Sequence, residues 1–271
     1  MAASCRTLRG ADVSAGWNAS AWEQMFGTFE RGPVVIVDGE GPLSGLPGAL
    51  ALPLAERAAV GVGVGCALAG QPCLFVLGDA GRVAALGESL AEAADIAARG
   101  WRVPFVVVVD VDAVTAGTTP GLAALVATGV TVRWAALDAL PESVGAAWSA
   151  GVPAVLLVGG DGAVEVSASS RTSRPRATAL VLPPLAEELA ARSDLDVVVW
   201  TSLGMMSERE RSALSASLQR TGRALVVVDA SQAALAPLGI AAVVDAGFWW
   251  LEEPPRGVEP GDVDAALAGW S

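Results

Sequence analysis

Between residues 33 and 158 short apolar runs alternate with longer segments of helical periodicity, and this alternation limits the folds open to the chain more than any other feature. The runs are Pro33–Asp38, Cys73–Leu77, Pro104–Asp110, Val130–Trp134 and Pro153–Val158, with helices expected at about 53–69, 83–99, 120–127 and 141–149. Strand–helix–strand repetition of this kind builds a parallel sheet with right-handed crossovers. The runs are continuous rather than alternating, as expected of strands covered by helices on both faces. Composition agrees: 53% of residues are hydrophobic but only 5% aromatic, so the interior is built from Ala, Val and Leu. Ahead of the first run, Val13, Trp17, Trp22, Met25, Phe26 and Phe29 form the apolar stripe of a helix over 12–31, and Gly39–Gly48 reads as a loop.

Past residue 158 the pattern lapses. Gly159–Arg176 is rich in Gly, Ser and Arg without periodicity, and Pro183 and Pro184 follow a short apolar run. Alternation resumes with a strand at Asp196–Trp200 and a helix from Ser207 to about Arg220, opened by a capping box in which Glu210 stands three residues after Ser207. Strands at Ala224–Asp229 and Ile240–Val244 and a short helix at about 263–267 complete it. The expectation is an α/β chain of two three-layer, parallel-sheet domains: residues 1–160, a linker over 161–193, and residues 194–271. At 271 residues, each can bury a core without disulfides or metals.

Charge and composition remove several function classes. A net charge of −12 argues against a nucleic-acid partner, which requires a basic face. All 17 basic residues are Arg, and Lys, His and Tyr are absent. Schiff-base lysines, histidine-paired nucleophiles and histidine-ligated metals are therefore excluded within this chain. Cys5, Cys66 and Cys73 show no CxxC pairing and read as reduced thiols. The apolar stretch from Leu50 to Leu77 is interrupted by Glu56, Arg57 and several glycines, so no membrane span is expected, and with no secretion pattern the cytoplasm is the expected location.

Chemistry concentrates in LAERAAVGVGVGCALAG, Leu54 to Gly70. Glu56 opens a helix of small apolar residues, a place where the helix dipole favours any acid. Gly61, Gly63 and Gly65 lie within that helix, each at a cost of about 1 kcal/mol against Ala, a cost retained where something must come close. AERAAVGVGVGCALAGQPCLFV resembles the pyrimidine-binding domain of the transketolase family, including the beta subunits of 2-oxo acid dehydrogenases, and DVVVWTSLGMMSERERSALSASL resembles the start of that family's C-terminal domain. The resemblance implies that Glu56 hydrogen-bonds a ring nitrogen of thiamine diphosphate and so activates the cofactor, with Gly78, Asp79 and Gly81 also at the cofactor and Thr118 and Thr119 toward the substrate. It further implies a two-carbon ketol or acyl transfer from a ketose or 2-oxo acid.

The same comparison exposes departures. Gly78-Asp79-Ala80 and Gly160-Asp161-Gly162 approach the family's diphosphate turn, but neither is followed by the required Asn. The diphosphate and its magnesium are therefore expected on a separate alpha-like subunit, in a heterotetramer with cofactor held across the interface. Without gaps, the positions of the ring-stacking aromatics fall on Gly78 and Gly81, and the loop Ala116–Leu122 has Thr118 and Thr119 where the family places a histidine. Either a partner supplies substrate handling or the chain is a non-catalytic structural or regulatory subunit. An unrelated α/β protein binding a nucleotide or small acid at its strand ends is the third reading. Asp110 and Asp112 read as loop acids or a metal pair, Phe248, Trp249 and Trp250 as core or subunit contact, and Arg171, Arg174 and Arg176 as a solvated run or a surface for anions.

Overall fold

The structure, a computed structural model, describes residue 27 and residues 32–38, 49–52, 56–77, 80–110, 119–136, 139–158, 175–203, 206–247 and 251–270; at 38, 51–52, 56, 80–81, 110, 119–120 and 231 it describes the backbone alone. In chain order the elements are β1 (Val34–Asp38), β2 (Ala49–Leu52), α1 (Glu56–Leu68), β3 (Cys73–Leu77), a 3₁₀ turn (Ala80–Leu86), α2 (Gly87–Ala98), β4 (Phe105–Asp110), α3 (Thr119–Ala127), β5 (Thr131–Ala135), α4 (Leu140–Ala150) and β6 (Ala154–Val158). They continue with β7 (Ala177–Val181), α5 (Pro183–Ala190), β8 (Leu195–Val199), β9 (Ser202–Leu203), α6 (Glu208–Thr221), β10 (Ala224–Val227), a 3₁₀ turn (Ala230–Leu235), α7 (Ala236–Gly247), β11 (Arg256–Val258) and α8 (Val263–Ala268).

Two sheets result, of order β2-β1-β3-β4-β6-β5-β9 and β11-β10-β7-β8. In the first, β2, β1, β3, β4 and β6 pair in parallel, while β9 runs antiparallel to β5. All pairs of the second are parallel. The expected α/β class with two mostly parallel sheets holds. The chain groups into two units, the second of which takes Thr115–Ala127 and Thr131–Trp134 in addition to Val164–Ser271.

In the first unit, Val35, Val37, Leu74, Val76, Val106, Val108, Leu156 and Val158 form one sheet face, which Leu140, Val144 and Trp148 of α4 cover. Trp148 also donates its indole N–H to the Cys73 carbonyl at 3.0 Å, satisfying a polar atom that burial would otherwise strand. In the second unit, alternate residues of β7, β8 and β10 pack against Leu189 of α5 and Val263, Leu267 and Trp270 at the C-terminal end. The α8 segment is tied down by charge as well: Arg192 bridges Asp194 at 2.9 Å and Asp264 at 2.5 Å. Hydrogen bonds from Arg192 hold the Asp194 carboxyl below its ordinary range.

Several expectations change. Ile240–Val244 is not a strand but the middle of α7. A short apolar run has no periodicity to separate a buried strand from a buried helix, and Gly239 and Gly247 at either side pack that helix onto Val226 and Trp200 and onto Leu218. The stretch read as linker, 161–193, contains β7 and α5, and β7 sits inside the second sheet between β10 and β8. The tandem prolines do not break α5, because they occupy its first turn, where no intrahelical N–H is lost. The sequence reading also passed over β2, β9 and β11, each four residues or fewer. The expected helix at 83–99 divides into the 3₁₀ turn and α2. The helix expected over 12–31, the loop at 39–48, Asp112 and the Phe248–Trp250 patch lie outside the described residues.

Candidate functional site

Helix α1 follows β2 and leads into the amino end of β3, so its first turn stands at the carboxyl edge of the first sheet, where ligands of open α/β sheets gather. Glu56 is the first residue of that turn. The 3₁₀ turn that carries Gly81 leaves the carboxyl end of β3 and packs against α1. Two of the expected cofactor positions, Glu56 and Gly81, are thus on adjoining segments of one sheet edge. Gly78, Asp79 and Thr118 lie outside the described residues. Thr119 opens α3, which packs on the Ala230–Leu235 turn of the second unit.

One side of α1 turns inward through Ala59, Val60 and Ala67. Gly63 lies on that side, and a Cβ there would stand on the ring edge of Phe105 and 3.1 Å from the Cys73 sulfur. Close approach explains this glycine. Burial, with the neighbouring Cys66 as a lesser cause, pushes the Cys73 thiol far above its usual range, so it is an inert core group and not a nucleophile. Gly61 and Gly65 differ: a Cβ at either meets nothing within 4 Å among the described residues. Together with the exposed side chains Val62, at 42% of its free surface, and Leu68, they make α1's outer face small and apolar.

Arg57 is the only base on α1, and its guanidinium lies 2.8 Å from the Glu88 carboxylate in the first turn of α2. Both side chains are exposed.

In the second unit the sequence pointed to Glu210 only as half of a capping box. That box is present, but the carboxylate does more. One oxygen accepts from the Thr201 amide at 2.8 Å, the Thr201 hydroxyl at 2.6 Å and the Ser202 amide at 3.1 Å, and the other from the amide and hydroxyl of Ser207. Burial alone would raise this acid, but the hydrogen bonds from Thr201 and Ser207 outweigh it and hold the carboxyl below the ordinary carboxylate range. It is a satisfied anion that organises the β8–α6 connection. A second buried acid, Asp196, accepts from Ser217 at 2.7 Å and pairs with Arg220. Arg176, read as part of a solvated run or a surface for anions, donates instead to the Leu267 carbonyl at 2.8 Å. Arg171 and Arg174 lie outside the described residues.

No family model matches the sequence, and no curated protein matches it either. Among solved structures, one of a "split gene transketolase, inactive beta4 tetramer" is similar over 95% of this chain and 91% of that chain, with a TM-score of 0.58 and 16% identity. The likeness spans both units, and the fold of this chain is transketolase-like. At that identity the likeness speaks to fold and not to the role of any residue. No helix among the described residues is long and apolar enough to cross a membrane.

Proposed function

We propose that this chain is the beta-like subunit of a two-component thiamine-diphosphate enzyme that transfers a two-carbon ketol or acyl unit, with Glu56 as the group that activates the cofactor. The observation that carries the reading is the position of Glu56: first residue of a glycine-bearing helix, at the carboxyl edge of a parallel sheet, beside an outer face where a Cβ at either of two glycines would meet no atom of the described residues within 4 Å. That face fits a group that must be covered by a second polypeptide. It is apolar and small, and it leaves backbone accessible for close approach.

When bound, thiamine diphosphate supplies a thiazolium carbon that, once deprotonated, adds to a carbonyl. The part assigned to this chain is to hold a carboxyl at Glu56 in proton-sharing contact with a ring nitrogen, and to exclude water by closing α1's outer face against the partner. The diphosphate and magnesium fall to an alpha-like subunit, and the heterotetramer is part of the proposal. The similarity to a split transketolase over nearly the whole of both chains supports the two-component arrangement.

A second reading, a non-catalytic structural or regulatory subunit, is favoured by one observation: the positions where the family stacks aromatics are Gly78 and Gly81. Calorimetric binding of thiamine diphosphate with magnesium separates the two. The chain is titrated alone and mixed with a candidate diphosphate-domain protein of the same source, as wild type and as Glu56→Gln. The catalytic reading expects binding in the mixture, with turnover abolished in the variant. Turnover indifferent to Glu56→Gln sinks it, and absence of binding in both cases favours the structural subunit.

A further inference from the structure

Resting on that reading of Glu56, we propose that Arg57 and Glu88 form a positioning pair that holds the Glu56-bearing turn against the Gly81 turn. A helix's first turn has unsatisfied amides and frays. Of the helix's 13 residues only Glu56 and Arg57 carry a side chain charged at neutral pH, and among the described residues the ion pair of that turn is Arg57–Glu88. If Glu56 is to share its proton with a cofactor, the anchor must be Arg57. The structure places the guanidinium 2.8 Å from Glu88, in the first turn of the helix that continues the Gly81-bearing 3₁₀ turn. The pair thus links the two segments that carry the candidate cofactor positions, at the ends of α1 and α2 that lie at the carboxyl edge.

The pairing has an electrostatic side. A guanidinium next in sequence to Glu56, left free, would favour the ionised carboxylate. Engaged by Glu88, its charge is compensated by an acid on a different helix. Because exposed ion pairs contribute little to global stability, the consequence of losing this one is local.

Three variants test it: Arg57→Gln, Glu88→Gln and the double variant, with Arg57→Lys as conservative rescue. In the chain alone, hydrogen exchange of the amides of residues 60–63, the first that bond back to the opening turn, is expected to quicken about two- to five-fold in each Gln variant, the span an exposed pair can deliver. The double variant should be no faster than either single one, Arg57→Lys should stay near wild type, and melting temperature should barely move. Wild type in 1 M salt should approach the Gln variants, since the pair is then screened. In the two-component mixture, kcat is expected to fall by a similar factor with the half-saturating thiamine diphosphate concentration unchanged. Exchange rates that are unaltered, or that add in the double variant, overturn the proposal without touching the role of Glu56. Quickened exchange in a mixture whose wild type shows no thiamine-diphosphate-dependent turnover keeps the pair as an anchor of the α1 start and removes the cofactor reading instead.

Discussion

Glu210 is almost wholly buried, yet it accepts five hydrogen bonds from three neighbouring residues. Removing its charge leaves those donors facing a neutral amide. Glu210→Gln is expected to cost about 2–4 kcal/mol, the range for breaking a buried charged network. The pH dependence follows from the direction of its shift. The folded-state pKa lies below the usual value near 4.5, so the folded protein resists protonation that the unfolded chain accepts. The stabilisation is complete above the unfolded pKa and is lost as pH falls below about 4.5 and through the folded value. Urea unfolding from pH 7 to pH 3 should show the wild type losing its advantage over Glu210→Gln across the acidic end of that range; a difference independent of pH there would refute the assignment. The sequence revealed half of this site. Ser207 and Glu210 at cap spacing are visible in one dimension, whereas the donors on Thr201 and Ser202 reach Glu210 only because β8 ends where α6 begins. The same limit applies to Asp196, whose partners Ser217 and Arg220 are more than twenty residues away.

At the scale of elements, three glycines on one helix should respond differently to the same substitution. Gly63→Ala drives a methyl onto the Phe105 ring and should destabilise the chain by about 1–3 kcal/mol. Gly61→Ala and Gly65→Ala meet nothing within 4 Å among the described residues and should stabilise the isolated chain by up to about 1 kcal/mol each. Thermal unfolding of the three variants checks the signs. If the outer face of α1 receives a partner, Gly61→Ala should at the same time weaken co-purification with it. From the sequence these three residues look alike, because spacing records that a glycine sits in a helix and not which way the helix is turned. On α7, Gly239→Ala should resemble Gly63→Ala, since its Cβ would lie 2.5 Å from Val226. Elements with strong periodicity or flanking breakers, such as β3 and α4, appear within a residue of expectation. The misplaced ones are a buried helix read as strand, a strand and proline-led helix read as linker, and strands too short to show a pattern.

For the whole molecule, the expectation from sequence ended the first domain at 160 and began the second at 194 after a linker over 161–193, yet the second unit takes in Val164–Ser271 and reaches back for α3 and most of β5. Within that unit α3 packs on the Ala230–Leu235 turn, β5 pairs with β9 through Val132 and Arg133, and the Trp134 amide donates to the Thr201 carbonyl at 2.8 Å. Such contacts join residues some seventy to a hundred positions apart and leave no trace in local patterning. They have a measurable consequence. A fragment beginning at Val164 keeps the four-stranded sheet and its core but loses Leu122, Leu125, Val132 and Trp134, all buried in the full chain. Losing even one such side chain from a packed interior costs about 2–5 kcal/mol, so the fragment should unfold at distinctly lower urea than the C-terminal part of the intact protein, followed by hydrogen exchange of β7 and β10. Adding residues 115–134 back through a flexible linker should recover most of the difference. If the fragment from Val164 matches the intact protein in the protection of β7 and β10, the second unit is complete without α3 and β5.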